Sequence, residues 1–329
     1  MKMIKQIKII VICLIVVVFL SFPVTTYAVK PLSIQTVEPV ITNSAHQFFP
    51  SLFKDNLVYY DNRTGDWQVR LYNLKNGNDI ALTDNTAPGT PRIYENNVVY
   101  TDTRNGQQDI YLYNINSKKE TRLTFDGGIK QNPDIYEDKI VWMDYRNPSN
   151  SNDIYTYDLK TKTTSQITND TADQSNPSMY QDKIVWQDTR NGGYNNQDIY
   201  LYNLTTNTET QITSSLENQE RPKISGSHIV WQQGSVDNWD IYEYNLNSSV
   251  TQPIASSQDV EGGPVISGET IAYVNHSSSS SDIFQYDLLT GSRTQITNNS
   301  ATQSQVNIFQ NTLVWADYRN GIPDIYAFR

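Results

Sequence analysis

The stretch Asp198-Ile199-Tyr200-Leu201-Tyr202-Asn203-Leu204 differs only at its last residue from Asp109-Ile110-Tyr111-Leu112-Tyr113-Asn114-Ile115. With the apolar residue after the acid as a marker, related stretches recur at Val69, Ile110, Ile154, Ile199, Ile241, Ile283 and Ile325, at steps of 41, 44, 45, 42, 42 and 42 residues. A fixed period of this size marks a repeat architecture, and it has to be recognised before any other fold reasoning.

Each unit spells four short segments. The third copy shows them in order: Asn132 to Tyr136, Lys139 to Trp142, Asp153 to Tyr157 and Ser165 to Thr168. All are rich in β-branched and aromatic residues and bounded by Asn, Asp, Gly or Pro, which reads as four strands joined by turns. No part of the chain after residue 28 sustains a 3.6-residue period, so helix is expected to be nearly absent. Four antiparallel strands in little more than 40 residues is the size of a propeller blade.

The chain ends sharpen the expectation. The last copy stops at Asp324 to Arg329 without a fourth strand, while Val40-Ile41-Thr42-Asn43 matches the fourth-strand motif Gln166-Ile167-Thr168-Asn169 and has no strands before it. An N-terminal strand completing the last blade would leave no open edge between first and last units. The fold class is therefore all-β, a seven-bladed propeller over residues 38–329. Within it Ile199 and Leu201 should face one neighbouring blade and Tyr200 and Tyr202 the other. Trp142, Trp186, Trp231 and Trp315 share one place in the second strand and read as core.

Pro133 with Tyr136-Glu137-Asp138-Lys139-Ile140-Val141-Trp142, and Asp188-Thr189-Arg190-Asn191-Gly192 followed by Asp198-Ile199-Tyr200, resemble the TolB-like propellers and their WD40-like PD40 repeat. The resemblance covers residues 38–329 and implies the blade type. TolB itself has six blades and an extra N-terminal domain, so its partner is not carried over. Many proteins with such repeats are secreted or surface proteins.

Ahead of the repeats, Lys2, Lys5 and Lys8 precede an apolar run from Ile9 to Leu20, and Thr26-Tyr27-Ala28 offers a cleavage site. Residues 1–28 read as a secretory signal, with an uncleaved anchor as the alternative. The run is shorter than the roughly 20 residues a spanning helix needs. Residues 29–37 form a short extension. The only cysteine, Cys13, lies within the signal, so disulfides and thiolate chemistry are excluded from the mature chain. The net charge of −10 becomes −13 once three lysines leave with the signal. That balance argues against nucleic acid and against an anionic membrane as partners. A secreted or surface-bound monomer is expected, periplasmic if the host has an outer membrane.

In five blades an acid ending the second strand is followed two residues on by arginine: Asp61 and Arg63, Asp102 and Arg104, Asp144 and Arg146, Asp188 and Arg190, Asp317 and Arg319. A feature copied five times solves a problem common to every blade. The expected role is to tie the turn to the acid before strand three, such as Asp109 or Asp198. Blades five and six lack the arginine, which directs attention to their loops. There Trp239 and His276, with Arg221 and Glu261 nearby in blade order, form the candidate ligand patch, joined by Trp67, Gln174 and Gln219 on the same face.

The leading expectation is a non-enzymatic binding or adhesion propeller that recognises a protein or polysaccharide of the envelope or extracellular space. One alternative is a polysaccharide lyase or glycosidase at the channel mouth, which would need placed carboxylates or a metal with several histidines. His46, His228 and His276 are the only histidines, one in each of three blades. No cofactor is expected, although the acidic balance permits calcium in the channel. A second alternative is a surface-layer brick, with Asn62, Asn169, Asn203, Asn247, Asn275 and Asn298 as Asn-x-Ser/Thr acceptors.

Overall fold

The computed structural model describes residues 35–84, 89–147, 151–277 and 280–329. The expected signal, residues 1–28, lies outside them. Seven four-stranded antiparallel sheets follow one another: residues 47–81, 92–122, 130–166, 174–211, 218–255 and 260–295 form six, and 303–328 joins residues 37–41 in the seventh. The 3-10 turn Gly193–Asn195 is the one helical element among the described residues.

Val37–Ile41 is the outermost strand of the seventh sheet and runs antiparallel to Asp324–Phe328, with Val37 opposite Phe328 and Ile41 opposite Ile325. The ring therefore closes through its own N-terminal strand, as the missing fourth strand implied. Thr36 N donates to Arg329 O at 3.0 Å beyond the last strand pair, and Arg329 pairs with Glu38. Ile41 is 6 % exposed and packs with Leu52, Tyr59, Val314 and Ile325, so closure buries apolar surface as well as pairing backbone.

The repeated heptapeptide is the third strand of each blade. In Asp198–Asn203, Tyr200 packs with Val141 and Ile154 of the preceding blade, whereas Ile199 and Leu201 pack with Ile224, Ile229 and Trp231 of the next. Period-2 alternation thus covers both faces of one strand, and this is why the segment carries so few charges. The four second-strand tryptophans are fully buried, and Tyr59, Tyr100 and Tyr273 take their place in the other blades. Each stacks on the third-strand aromatic beside it where one is present, as Trp186 does on Tyr200 at 6.0 Å between centroids.

The turn after strand two works differently from the sequence expectation. Arg190 donates to Asp188 Oδ2 at 2.6 Å and to Glu209 Oε1 of the fourth strand at 2.6 Å, and lies over the Tyr200 ring at 4.3 Å. It does not reach Asp198. That carboxylate accepts from Asn191 Nδ2 at 2.8 Å, and Asn147 and Asn320 bond Asp153 and Asp324 in the same way. The reason is register: Asp188 and Asp198 stand directly opposite each other, so a neutral donor at the turn satisfies the second acid while arginine spans outward to strand four. Trp186 Nε1 completes the knot by donating to Asp188 Oδ2 at 2.9 Å.

In or just ahead of the inner strand six blades carry a proline, and the seventh has Val306 in its place. Having no N–H, proline cannot join the ladder, and a bulge forms in which two residues oppose one: Gln131 pairs with Met143 and Asp134 with Val141, leaving Asn132 and Pro133 opposite Trp142. The residue before the proline takes a left-handed conformation, with φ of 50° at Asn132, 51° at Asn176 and 54° at Arg221. This bulge decides which side chains reach the central channel.

Candidate functional site

Three tiers of inner-strand residues line a central cavity of about 550 Å³. The upper tier consists of the residues before the prolines, among them Phe49, Asn132, Asn176, Arg221 and Gln305. The tier below holds the residue after each proline or its equivalent: Ser51, Arg92, Asp134, Ser178, Lys223, Val265 and Asn307. At the far end an unbroken series of rings runs Phe309, Phe53, Tyr94, Tyr136, Tyr180, with neighbouring centroids 4.6–4.8 Å apart.

The polar side chains mostly brace one blade against the next. Asn307 Oδ1 accepts from Leu52 N at 2.9 Å, and Asp134 Oδ2 accepts from Ser178 Oγ at 3.1 Å and Met179 N at 3.0 Å. The cations are the exception. Arg92 donates only to its neighbour's carbonyl, Pro91 O, at 3.1 Å, and Arg92, Arg221 and Lys223 have no ion-pair partner among the described residues. Every other arginine of the chain is ion-paired. Burial depresses the Lys223 ammonium, the nearby Arg92 charge adds to the effect, and Asp134 opposes it, leaving the pKa at about 8. Burial likewise lowers the Arg92 guanidinium, which nevertheless stays charged. The cavity thus presents three cations to one carboxylate that is already hydrogen-bonded, in a chain that is otherwise acidic.

Of the residues singled out from sequence, Arg221 lines this cavity. Gln174 and Gln219 are fully buried and donate to Ala172 O and Glu217 O, holding the turns into their own strands. Glu261 is also fully buried and accepts from Ser257 Oγ at 2.5 Å and Asn275 Nδ2 at 3.1 Å. Trp67 is half-buried against Phe48, 5.8 Å between centroids, and Trp239 is half-buried in the third strand opposite Gly234. His276 is exposed, with Nδ1 2.7 Å from Ser281 Oγ, and among the described residues no contact links it to Trp239. Sequence reasoning missed Arg92, Asp134 and Lys223. Their shared signal is a charge directly after the inner-strand proline.

Among the described residues no group of three or more His, Cys, Asp or Glu could hold a metal ion, and no helix is long and apolar enough to cross a membrane. His228 starts a second strand and sits between Glu243 at 2.7 Å and Glu269 at 3.2 Å.

No family model matches the chain, and neither does any curated protein. Solved structures do. An oligogalacturonate lyase from Vibrio parahaemolyticus superposes with a TM-score of 0.69 at 14% identity, over 89% of this chain and 93% of that one. An oligogalacturonate lyase in complex with manganese gives 0.70 at 13% identity, over 89% and 92%. The metal belongs to that protein, and the cavity residues here do not fit one. TolB from Acinetobacter baumannii gives 0.51 at 14% identity, over 71% and 60%. These comparisons correct the leading expectation. Two of the structures matched along nearly their whole length are oligogalacturonate lyases, and a third is the propeller domain of a protease from Pyrococcus furiosus, so the matches speak against the expectation that the chain is non-enzymatic. At such identities the likeness is one of fold, and by fold this chain is a TolB-like β-propeller of seven blades, distinct from TolB itself.

Proposed function

We propose that the chain is an exported lyase that cleaves a uronate-containing oligosaccharide in the channel cavity. The observation that carries this reading is the trio of unpaired cations, Arg92, Arg221 and Lys223, in a cavity whose only carboxylate is Asp134. A glycosidase needs two carboxylates about the scissile bond, and the lining has one, held by Ser178 and Met179. Elimination needs a cation on the uronate carboxylate and a base near neutral pKa. Arg92 and Arg221 supply the first and Lys223 the second.

In this reading the neutral Lys223 amine takes the proton from C5 of the uronate. The C–H electron pair becomes the C4–C5 double bond, and the C4–O bond breaks with its electrons on the departing oxygen. The Lys223 ammonium returns its proton to that oxygen, so atoms and charge balance without a co-reactant. The aromatic series at the far end offers ring faces against which a neighbouring sugar can stack. Secretion through residues 1–28 places the enzyme where such polymers lie.

The test is to incubate residues 29–329 with polygalacturonate and its oligomers and follow the ultraviolet absorbance of the unsaturated product. Activity that disappears in Lys223→Ala and falls at least tenfold in Arg92→Ala supports the reading. Folded protein that yields no unsaturated product from any polyuronate removes it.

A further inference from the structure

A second constellation lies away from the channel, where blade five meets blade six. At the fourth and sixth junctions the acid opening strand three, the threonine ending strand four, and a glutamine opening the next blade share one hydroxyl, and the second and third junctions keep the threonine-to-acid half of this device, Thr124 to Asp109 and Thr168 to Asp153. Thr213 Oγ1 lies 3.3 Å from Asp198 Oδ1 and 2.8 Å from Gln219 Oε1, and Thr297 Oγ1 lies 3.0 Å from both Asp282 Oδ1 and Gln303 Oε1. At the fifth junction the three positions are Asp240, Ala255 and Glu261. The hydroxyl is gone and the neutral amide has become a second acid.

The two oxygens that the hydroxyl would have joined are the ones left over. Asp240 Oδ1 and Glu261 Oε2 are both buried without a hydrogen-bond partner, and Glu261 is 0% exposed. Glu261 Oε1 occupies the place of the glutamine nitrogen. In blade one that nitrogen, Gln47 Nε2, bonds Asn43 and Asp61, and here the matching Ser257 and Asn275 donate to Oε1 instead. Oε2 therefore points toward Ala255. The blade-five Asp-x-Arg pair is also missing: Gln233, which bonds Glu217 Oε2 at 2.9 Å, stands in place of the acid, and Ser235 stands in place of the arginine. The one cation nearby, Arg293, is 3.9 Å from Glu261 Oε1, on the other side of the carboxylate. At ring closure Asp324 Oδ1 and Gln47 Oε1 are unpartnered too, but there one member is a neutral amide, so the pair brings one carboxylate to the junction and not two.

Two carboxylate oxygens facing one buried gap repel each other unless something positive lies between them. We propose that Asp240 and Glu261 bind a divalent cation of the calcium class in the space vacated by the threonine hydroxyl. Calcium accepts a shell of two carboxylates completed by neutral oxygens and water, so no third acid is required. The ion would pin blade five to blade six at the junction that lacks both the arginine and the threonine. It lies outside the channel and does not depend on the proposed lyase activity.

The test uses residues 29–329 after exhaustive EDTA treatment. Terbium should give saturable luminescence sensitised by Trp239 and Tyr242, calcium should displace it, and calcium at a hundredfold over Kd should raise the melting temperature by about 5 °C. The double variant A255T/E261Q recreates the device found at the fourth and sixth junctions. It should melt no lower than the parent in EDTA and lose the calcium response. Absence of both terbium signal and calcium-dependent melting in the parent overturns the proposal and leaves a shared proton as the neutralising charge. A response that survives unchanged in the double variant overturns it as well, because the ion then sits elsewhere.

Discussion

Lys223 should titrate far below an ordinary lysine. Its pKa of about 8 against an ordinary 10.5 is a displacement of roughly 2.5 units, or about 3 kcal/mol between the two protonation states. The sign follows from the folded value lying below the unfolded one. Between pH 8 and 10.5 the unfolded chain binds more protons, so this residue makes stability rise with pH across that window, and its cost is full below it. Reductive methylation with carbon-13 formaldehyde, followed by an NMR titration, reads the side chain directly and needs no substrate. Arg92→Ala should raise the Lys223 pKa by removing a like charge, and Asp134→Asn should lower it further. For catalysis the same value means an unprotonated fraction of about one tenth at pH 7 and about nine tenths at pH 9, a nearly tenfold rise in elimination rate. A Lys223 resonance that titrates near the ordinary lysine value of 10.5 refutes the argument, because the cavity would then be too wet to act on the ammonium.

Ile41→Ala should cost about 3 kcal/mol and lower the melting temperature by roughly 5 °C, since the side chain is buried in the closing blade. A loss near zero by differential scanning calorimetry would mean that the N-terminal strand is not docked in solution. Trp186→Phe keeps the stack on Tyr200 but deletes the donor to Asp188, and should cost about 1–2 kcal/mol in chemical denaturation. Arg190→Ala should cost more than this in the same assay, because it removes bonds to Asp188 and Glu209 together and uncovers the Tyr200 ring. Polyuronate binding, measured by calorimetry, should weaken steeply between 50 mM and 500 mM salt, as expected for a cavity that holds its ligand by charge.

What could be read from sequence was whatever each blade states locally. The Asp198 to Leu204 strand announces itself by alternation, and ring closure follows from one strand missing at Arg329 and one to spare at Val40. The channel was harder to see for two physical reasons. The proline bulge breaks the two-residue period, so which of Asn132, Pro133 and Asp134 turns to the centre depends on a left-handed residue that the pattern does not mark. Arg92, Asp134 and Lys223 also come from blades two, three and five, and only the circular arrangement brings them to one cavity. The arginine of the Asp-x-Arg turn was assigned the wrong acid because pairing register, not sequence distance, sets Asp188 against Asp198 and leaves strand four within its reach.

The contrast between constant and variable slots of the repeat supplies a final test of where function lies. The second-strand slot is always Trp or Tyr, and burial there explains why. The slot after the proline runs Ser, Arg, Asp, Ser, Lys, Val, Asn, so the blade does not require any one of them for folding. Serine already occupies it at Ser51 and Ser178, and neither Arg92 nor Lys223 has an ion-pair partner among the described residues. The double variant Arg92→Ser with Lys223→Ser should therefore fold with stability within about 0.5 kcal/mol of the parent or above it, because two facing like charges are removed. At the same time it should lose polyuronate binding and turnover. A large loss of stability would show that the two cations hold the blades together, and the cavity would then be a structural feature of the ring with no claim to be its active centre.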